Sequence, residues 1–164
     1  MTKRILVVDD ESSIREALSK VLHAEDYEVV SAENGQEAIE KFGAEKIDLL
    51  LLDLGMPVKD GWHTVIWLAQ VNPLLPIIII TGRHAQRELA EKMGADALME
   101  KPLNVPRLLQ TIRELLNEPM KIRAQRANNR ASGFRYVSCD HELFREMLRK
   151  QFTTPYPCPG LKNT

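Results

Sequence analysis

Residues 49–62, LLLLDLGMPVKDGW, decide how this chain folds. Four consecutive leucines leave no polar face, as in a central strand covered by helices on both sides. Asp53 closes that run, Met56-Pro57 stiffens the loop, and Asp60-Gly61 makes a tight turn into a helix. Outward from it lie similar short apolar runs: Ile5–Val8 and Glu28–Ala32 before it, Ile77–Ile80 and Ala97–Met99 after it. Their starts are 23, 21, 28 and 20 residues apart, and the intervals carry helical periodicity. Ile14, Ala17, Leu18, Val21 and Leu22 make one apolar face, with Ser12 or Ser13 placed to cap it. Ala38, Ile39 and Phe42 make the second face, Val65, Ile66, Leu68 and Ala69 the third. Leu89, Ala90 and Met93 make the fourth, stopped by Gly94, and Leu108, Leu109, Ile112, Leu115 and Leu116 the fifth. Strands alternating with helices predict parallel pairing through right-handed crossovers. The fold class is therefore α/β, a doubly wound, five-stranded parallel sheet.

Composition agrees with such a domain. The chain has 164 residues, 44% hydrophobic and 27% charged, ordinary values for a globular protein and wrong for a disordered one. No apolar run approaches the roughly 20 residues of a membrane span, so no membrane association is expected. No secretory signal is visible at the amino terminus, and the expected compartment is the cytoplasm. Cys139 and Cys158 both lie late in the chain, which excludes a disulfide framework. Charge divides unevenly: residues 1–118 hold 13 Lys/Arg against 20 Asp/Glu, whereas residues 119–164 hold 9 against 3. That split predicts two parts, a domain over 1–118 and a basic extension over 119–164.

In doubly wound sheets ligands sit beyond the carboxyl ends of the strands. There this sequence places Asp9, Asp10 and Glu11 after the first strand, Asp53 after the third, Thr81 after the fourth and Lys101 after the fifth. With strand order 2-1-3-4-5 the first and third strands are neighbours, and Asp9, Asp10 and Asp53 converge. Three adjacent carboxylates repel one another unless a cation lies among them, and the set suits a hard ion such as Mg²⁺. A carboxylate nucleophile, a metal, a lysine and a hydroxyl together suit an aspartyl phosphate. Singly, an acidic residue at a strand end is usually a helix cap and a lysine a solvated charge; the combination carries the argument.

ILVVDDE (5–11), LLLLDLGMPVKDGW (49–62), IIIITG (77–82) and MEKPL (99–103) resemble the receiver domain of two-component response regulators. The resemblance covers about residues 3–118 and implies a flavodoxin-like (βα)5 fold. It implies Asp53 as phosphoacceptor, Asp9 and Asp10 with the Gly55 carbonyl as Mg²⁺ ligands, Thr81 as switch hydroxyl and Lys101 as counter-charge. It also implies a cis Lys101–Pro102 bond, and a phosphate lifetime tuned at Gly55 and Arg83. The family's aromatic three positions before the lysine is replaced here by Leu98, which shifts signal transmission onto Thr81 and the loop before the fourth helix. Trp62 is expected near the site and half-exposed, Trp67 in packing.

The resemblance implies a histidine kinase or histidine phosphotransfer protein as donor, and a homodimer through the fourth helix, fifth strand and fifth helix or through the tail. The reading is a regulatory switch rather than an enzyme, expected to stand alone and to signal by protein contact. Two alternatives remain: a transcription regulator whose basic tail binds DNA, and an aspartyl-phosphate phosphohydrolase. The tail lacks a recognisable DNA-binding motif, so DNA is not the expected partner. It holds five of the nine aromatics, and Leu143, Phe144, Met147 and Leu148 form one face of a short helix near 140–151 capped by Asp140. Packing of the tail on its own domain or a twin's is the favoured reading. Cys139, His141 and Cys158 fit no standard zinc spacing, and His23, His63 and His84 read as ordinary surface histidines.

Overall fold

The computed structural model describes residues 2–56, 58–128 and 134–137. Strands β1 (Arg4–Val8), β2 (Glu28–Ala32), β3 (Leu49–Asp53), β4 (Ile77–Thr81) and β5 (Ala97–Glu100) alternate with helices α1 (Ser12–His23), α2 (Gly35–Ala44), α3 (Val58–Val71), α4 (Arg87–Met93) and α5 (Val105–Asn117). Helix α6 (Met120–Asn128) and strand β6 (Arg135–Val137) follow. All pairings are parallel, in the order β2-β1-β3-β4-β5-β6. The sheet therefore has the predicted class and order, with a sixth strand added at the β5 edge. That strand comes from the extension and covers the edge through which a homodimer was expected.

Successive residues of a strand point to opposite faces, so the sheet builds two cores. On one face Leu6, Val8, Leu50, Leu52, Ile77, Ile79 and Leu98 pack with residues of α2, α3 and α4. On the other, Ile5, Val7, Leu49, Leu51, Ile78 and Ile80 pack with α1 and α5. Both β3 and β4 are buried at every position, which is why their sequences do not alternate.

The helix ends follow local chemistry. Asn34 and Asn104 cap α2 and α5 by accepting from the N–H groups of Glu37 and Arg107 at 2.9 and 3.0 Å. Gly94 ends α4 at φ 98°, where a side chain would be strained. The first helix departs from expectation: its cap is Glu11, not a serine, and makes no side-chain cap bond. Glu11 is held instead through its N–H, which donates to Asp9 Oδ1 at 2.9 Å. Trp67 also departs. Gly61, Thr64, Val65 and Leu68 take the inward stripe of α3, which leaves Trp67 39% exposed while Trp62 packs against the core. Leu89, at 37%, likewise lies outside the α4 stripe set by Ala90 and Met93.

In the extension, Arg123 from α6 donates to the Leu115 carbonyl at 2.9 Å, closing the last turn of α5. Phe134 packs against the α3 and α4 core. The predicted helix near 140–151 and the residues Cys139, His141 and Cys158 lie outside the described residues. Among those described, no helix is long and apolar enough to cross a membrane.

Candidate functional site

Register places the polar groups. Val8 of β1 pairs with Leu52 of β3, so Asp9 and Asp53 leave adjacent strands at the same level. Carboxylate oxygens of Asp9, Asp10 and Asp53 all lie within 4.8 Å of one another. Asp53 pairs with Ile80 of β4, and Thr81 with Glu100 of β5, which brings Thr81 and Lys101 to the same end of the sheet. Lys101 Nζ donates to Asp53 Oδ2 at 2.9 Å and stands 3.6 Å from Asp9 Oδ2. The Lys101–Pro102 bond is cis. The Gly55 N–H donates to Asp53 Oδ1 at 2.9 Å, which fixes the second carboxylate oxygen.

Asp9 and Asp53 are nearly inaccessible, at 1% and 3% exposure, whereas Asp10 is exposed. Burial, reinforced by the charges of Asp53 and Asp10, raises the Asp9 carboxyl above its usual range despite the Glu11 N–H and Lys101. Burial opposes the Lys101 charge, but its bond to Asp53 and the charges of Asp53, Asp9 and Glu11 outweigh that and raise its pKa. Asp9 Oδ2 makes no hydrogen bond although it is fully buried. An acceptor in that state is costly unless a cation or donor reaches it.

Those observations test whether a divalent ion fits. Octahedral Mg²⁺ with oxygens at about 2.1 Å spaces neighbouring ligands about 3.0 Å apart and opposite ones about 4.2 Å. A three-carboxylate cluster within 4.8 Å is compatible with that after closure by at most about 1.8 Å, and the orphaned Asp9 oxygen supplies a ready ligand. The residues fit a hard divalent cation.

Gly55 is crowded in a directed way. A Cβ built on it would stand 2.7 Å from Asp53 Oδ2, so a side chain there would press on the carboxylate. At Gly82 nothing lies within 4 Å of such a Cβ, leaving open space beside Thr81. Thr81 is fully buried and its Oγ1 accepts from the Arg83 N–H at 3.0 Å.

The model for the response regulator receiver domain matches residues 5–113. This chain belongs to that family. Response regulator MprA of Mycobacterium ulcerans is 34% identical over 151 residues, covering 91% of this chain and 65% of its own. The alkaline phosphatase synthesis transcriptional regulatory protein PhoP of Bacillus subtilis is 39% identical over 106 residues, covering 63% and 44%. Among solved structures, a CheY-like receiver domain protein from Methanospirillum hungatei has TM-score 0.70 at 32% identity, covering 74% of this chain and 99% of that one. TrrA from Thermotoga maritima, in complex with Mg²⁺-BeF, has TM-score 0.65 at 37% identity, covering 70% and 99%. The matched part of the chain spans 65% and 44% of the length of these two curated relatives, which lends the expected stand-alone status no support. The MprA match, at 91% of the chain, necessarily runs into the basic extension.

A second cluster beside the receiver site escaped sequence reasoning. Glu100, 6% exposed, accepts the Tyr136 hydroxyl on Oε1 at 2.7 Å, and His84 Nδ1 stands 3.4 Å from its Oε2. Arg87 of α4 lies 5.5 Å from the centre of the Tyr136 ring, a cation–π distance. Tyr136 pairs in register with Leu98, so an aromatic stands beside the position where β5 lacks one. A three-residue strand 36 residues from Glu100 carries no periodic signal, and only the aromatic richness of the tail hinted at it. Three charges beside the face of α4, β5 and α5 are engaged within the chain: Arg87 with Tyr136, Asp96 with the Ile77 N–H at 2.8 Å, and Arg113 with Glu25 at 3.1 Å.

Proposed function

We propose that the receiver is a phosphorylation-operated switch that takes a phosphoryl group onto Asp53 from the phosphohistidine of a histidine kinase or histidine phosphotransfer protein. One observation carries this reading: a buried carboxylate, Asp53, held at both oxygens by Lys101 and Gly55, beside a second buried carboxylate with an unsatisfied oxygen. In the transfer the P–N bond to histidine breaks, a P–O bond to Asp53 forms, and the imidazole nitrogen takes a proton. The Lys101 ammonium offsets the anionic charge that arrives, and the Thr81 hydroxyl has a hydrogen to donate to a phosphoryl oxygen. Asp9, Asp10, Asp53 and the Gly55 carbonyl would hold Mg²⁺, which supplies charge neutralisation at the phosphoryl oxygens.

On this reading the chain is regulatory, with no separate substrate turned over, and acts in the cytoplasm. A second reading places its output on DNA, favoured by the transcriptional role in the name of the Bacillus relative and by the basic extension. Acetyl phosphate with Mg²⁺, followed by intact mass, tests the first reading. Wild type should gain one phosphoryl group and Asp53→Asn none; equal behaviour of the two refutes Asp53 as acceptor. Salt-dependent binding of duplex DNA by the full chain would support the second.

A further inference from the structure

We propose that β6 is a strap whose hold on β5 is set by the phosphorylation state of Asp53, through Thr81, His84, Glu100 and Tyr136. The proposal rests on the acceptor reading of Asp53 given above. Two routes from Asp53 meet at Glu100. Along the first, Lys101 Nζ holds Asp53 at 2.9 Å, and Lys101 follows Glu100 in the chain while its own N–H donates to the Thr81 carbonyl at 2.8 Å. Along the second, Thr81 Oγ1 accepts the Arg83 N–H at 3.0 Å, and the next residue, His84, meets Glu100 Oε2 at 3.4 Å. Glu100 spends its other oxygen on the Tyr136 hydroxyl at 2.7 Å. A phosphoryl group on Asp53 draws both Lys101 and the Thr81 hydroxyl toward new anionic oxygens. Because Arg83 is bonded to Thr81 Oγ1, the 81–84 loop must follow, and its load falls on Glu100.

The strap is the element built to respond. β6 has three residues and lies at the sheet edge, whereas β3 and β4 are fully buried five-residue strands. Besides the ladder to β5, its described ties include the Arg135 N–H to the Asp96 carbonyl at 3.0 Å, Arg135 to Glu114 of α5 at 3.3 Å and to Glu118 at 4.0 Å, Arg87 over the Tyr136 ring, and the Glu100 bond. Of these the Glu100 bond is the one that leads back to the site, through Lys101 and through His84. Local openings of this kind draw on edge elements with few buried contacts. Release of β6 bares the β5 edge flanked by α4 and α5, so the extension acts as an intrinsic cover for that face.

The full chain, with and without acetyl phosphate and Mg²⁺, is the material for the test. Amide hydrogen exchange over 97–100 and 135–137 is read alongside intact mass. Phosphorylated wild type should exchange at least about tenfold faster in both segments, with β3 unchanged. Tyr136→Phe, which removes only the hydroxyl, should already exchange faster there without donor, respond little to it, and gain the phosphoryl group as wild type does. Full phosphorylation of wild type with unaltered exchange refutes the strap and leaves the acceptor reading standing. No phosphoryl gain in wild type removes the acceptor reading and the strap with it.

Discussion

Replacing Asp9 by Asn should make the protein more stable while impairing its site. Asp9 is 1% exposed, its Oδ2 makes no hydrogen bond, and carboxylate oxygens of Asp53 and Asp10 lie within 4.8 Å. At an effective dielectric of 20, two charges at that distance repel by about 3.5 kcal/mol. Asp10 is exposed and its repulsion is screened by solvent, so only the buried Asp53 counts in full. Lys101 at 3.6 Å attracts by about 4.6 kcal/mol on the same scale, and the Asp53 and Lys101 terms nearly cancel. What is left is the desolvation of an unsatisfied buried oxygen, about 1–3 kcal/mol. Asn keeps an oxygen for the Glu11 N–H, and its amide can donate where the carboxylate could only accept. A gain of about 1–2 kcal/mol follows, or roughly 2–8 °C in Tm for a chain of this size.

The pH dependence has a definite sign. The folded Asp9 carboxyl titrates above its usual 3.8, chiefly because it is buried, so the folded chain binds the proton more tightly than the unfolded one. Its contribution is full below about 3.8 and is lost as pH rises through the folded value. The advantage of Asn should therefore be largest near neutrality and vanish toward about pH 4. Thermal unfolding in EDTA across that range is the assay. Mg²⁺ at ten times its Kd should raise wild-type stability by about 1.4 kcal/mol and the variant's by less. A variant less stable than wild type at neutral pH in EDTA, or an advantage that persists in acid, refutes the reasoning.

Lys101→Met keeps the apolar stem and removes the charge that holds Asp53 and Asp9. It should slow phosphoryl gain from acetyl phosphate by at least about tenfold. It should also lower Tm, and that deficit should persist up to about pH 10.5 and shrink only as wild-type Lys101 loses its raised proton, as alkaline melts would show. Asp96→Ala removes the 2.8 Å acceptor of the Ile77 N–H at the start of β4. A loss of about 1–3 kcal/mol is expected in urea unfolding, with the m-value unchanged.

Much of the receiver is local in origin, and so was legible. All-apolar LLLL and IIII runs need no knowledge of their neighbours to declare themselves doubly covered strands, and the α5 stripe Leu108, Leu109, Ile112 and Leu115 is buried as its 3.6-residue period requires. Parallel order then brings Asp9, Asp10, Asp53 and Lys101 together, because strand ends at one level share one rim of the sheet. Misplaced residues were those whose fate depends on a competitor for the same place: Trp67 yields the inward stripe to Val65 and Leu68, and Ser12 yields the cap to Glu11, held by Asp9.

Strand β6 and its ties were decided by tertiary structure alone. A three-residue strand is too short to show a period, and it forms because β5 offers an open row of backbone donors and acceptors at the sheet edge. The partner of Glu100 could not be read from the chain, since a buried carboxylate takes whichever donor the fold delivers, here a hydroxyl 36 residues away. Sequence by itself determined the alternating strands and helices, because these follow from periodicity, and its motifs implied the strand order and the acidic rim through their resemblance to receivers; packing at the β5 edge decided what the rim is connected to.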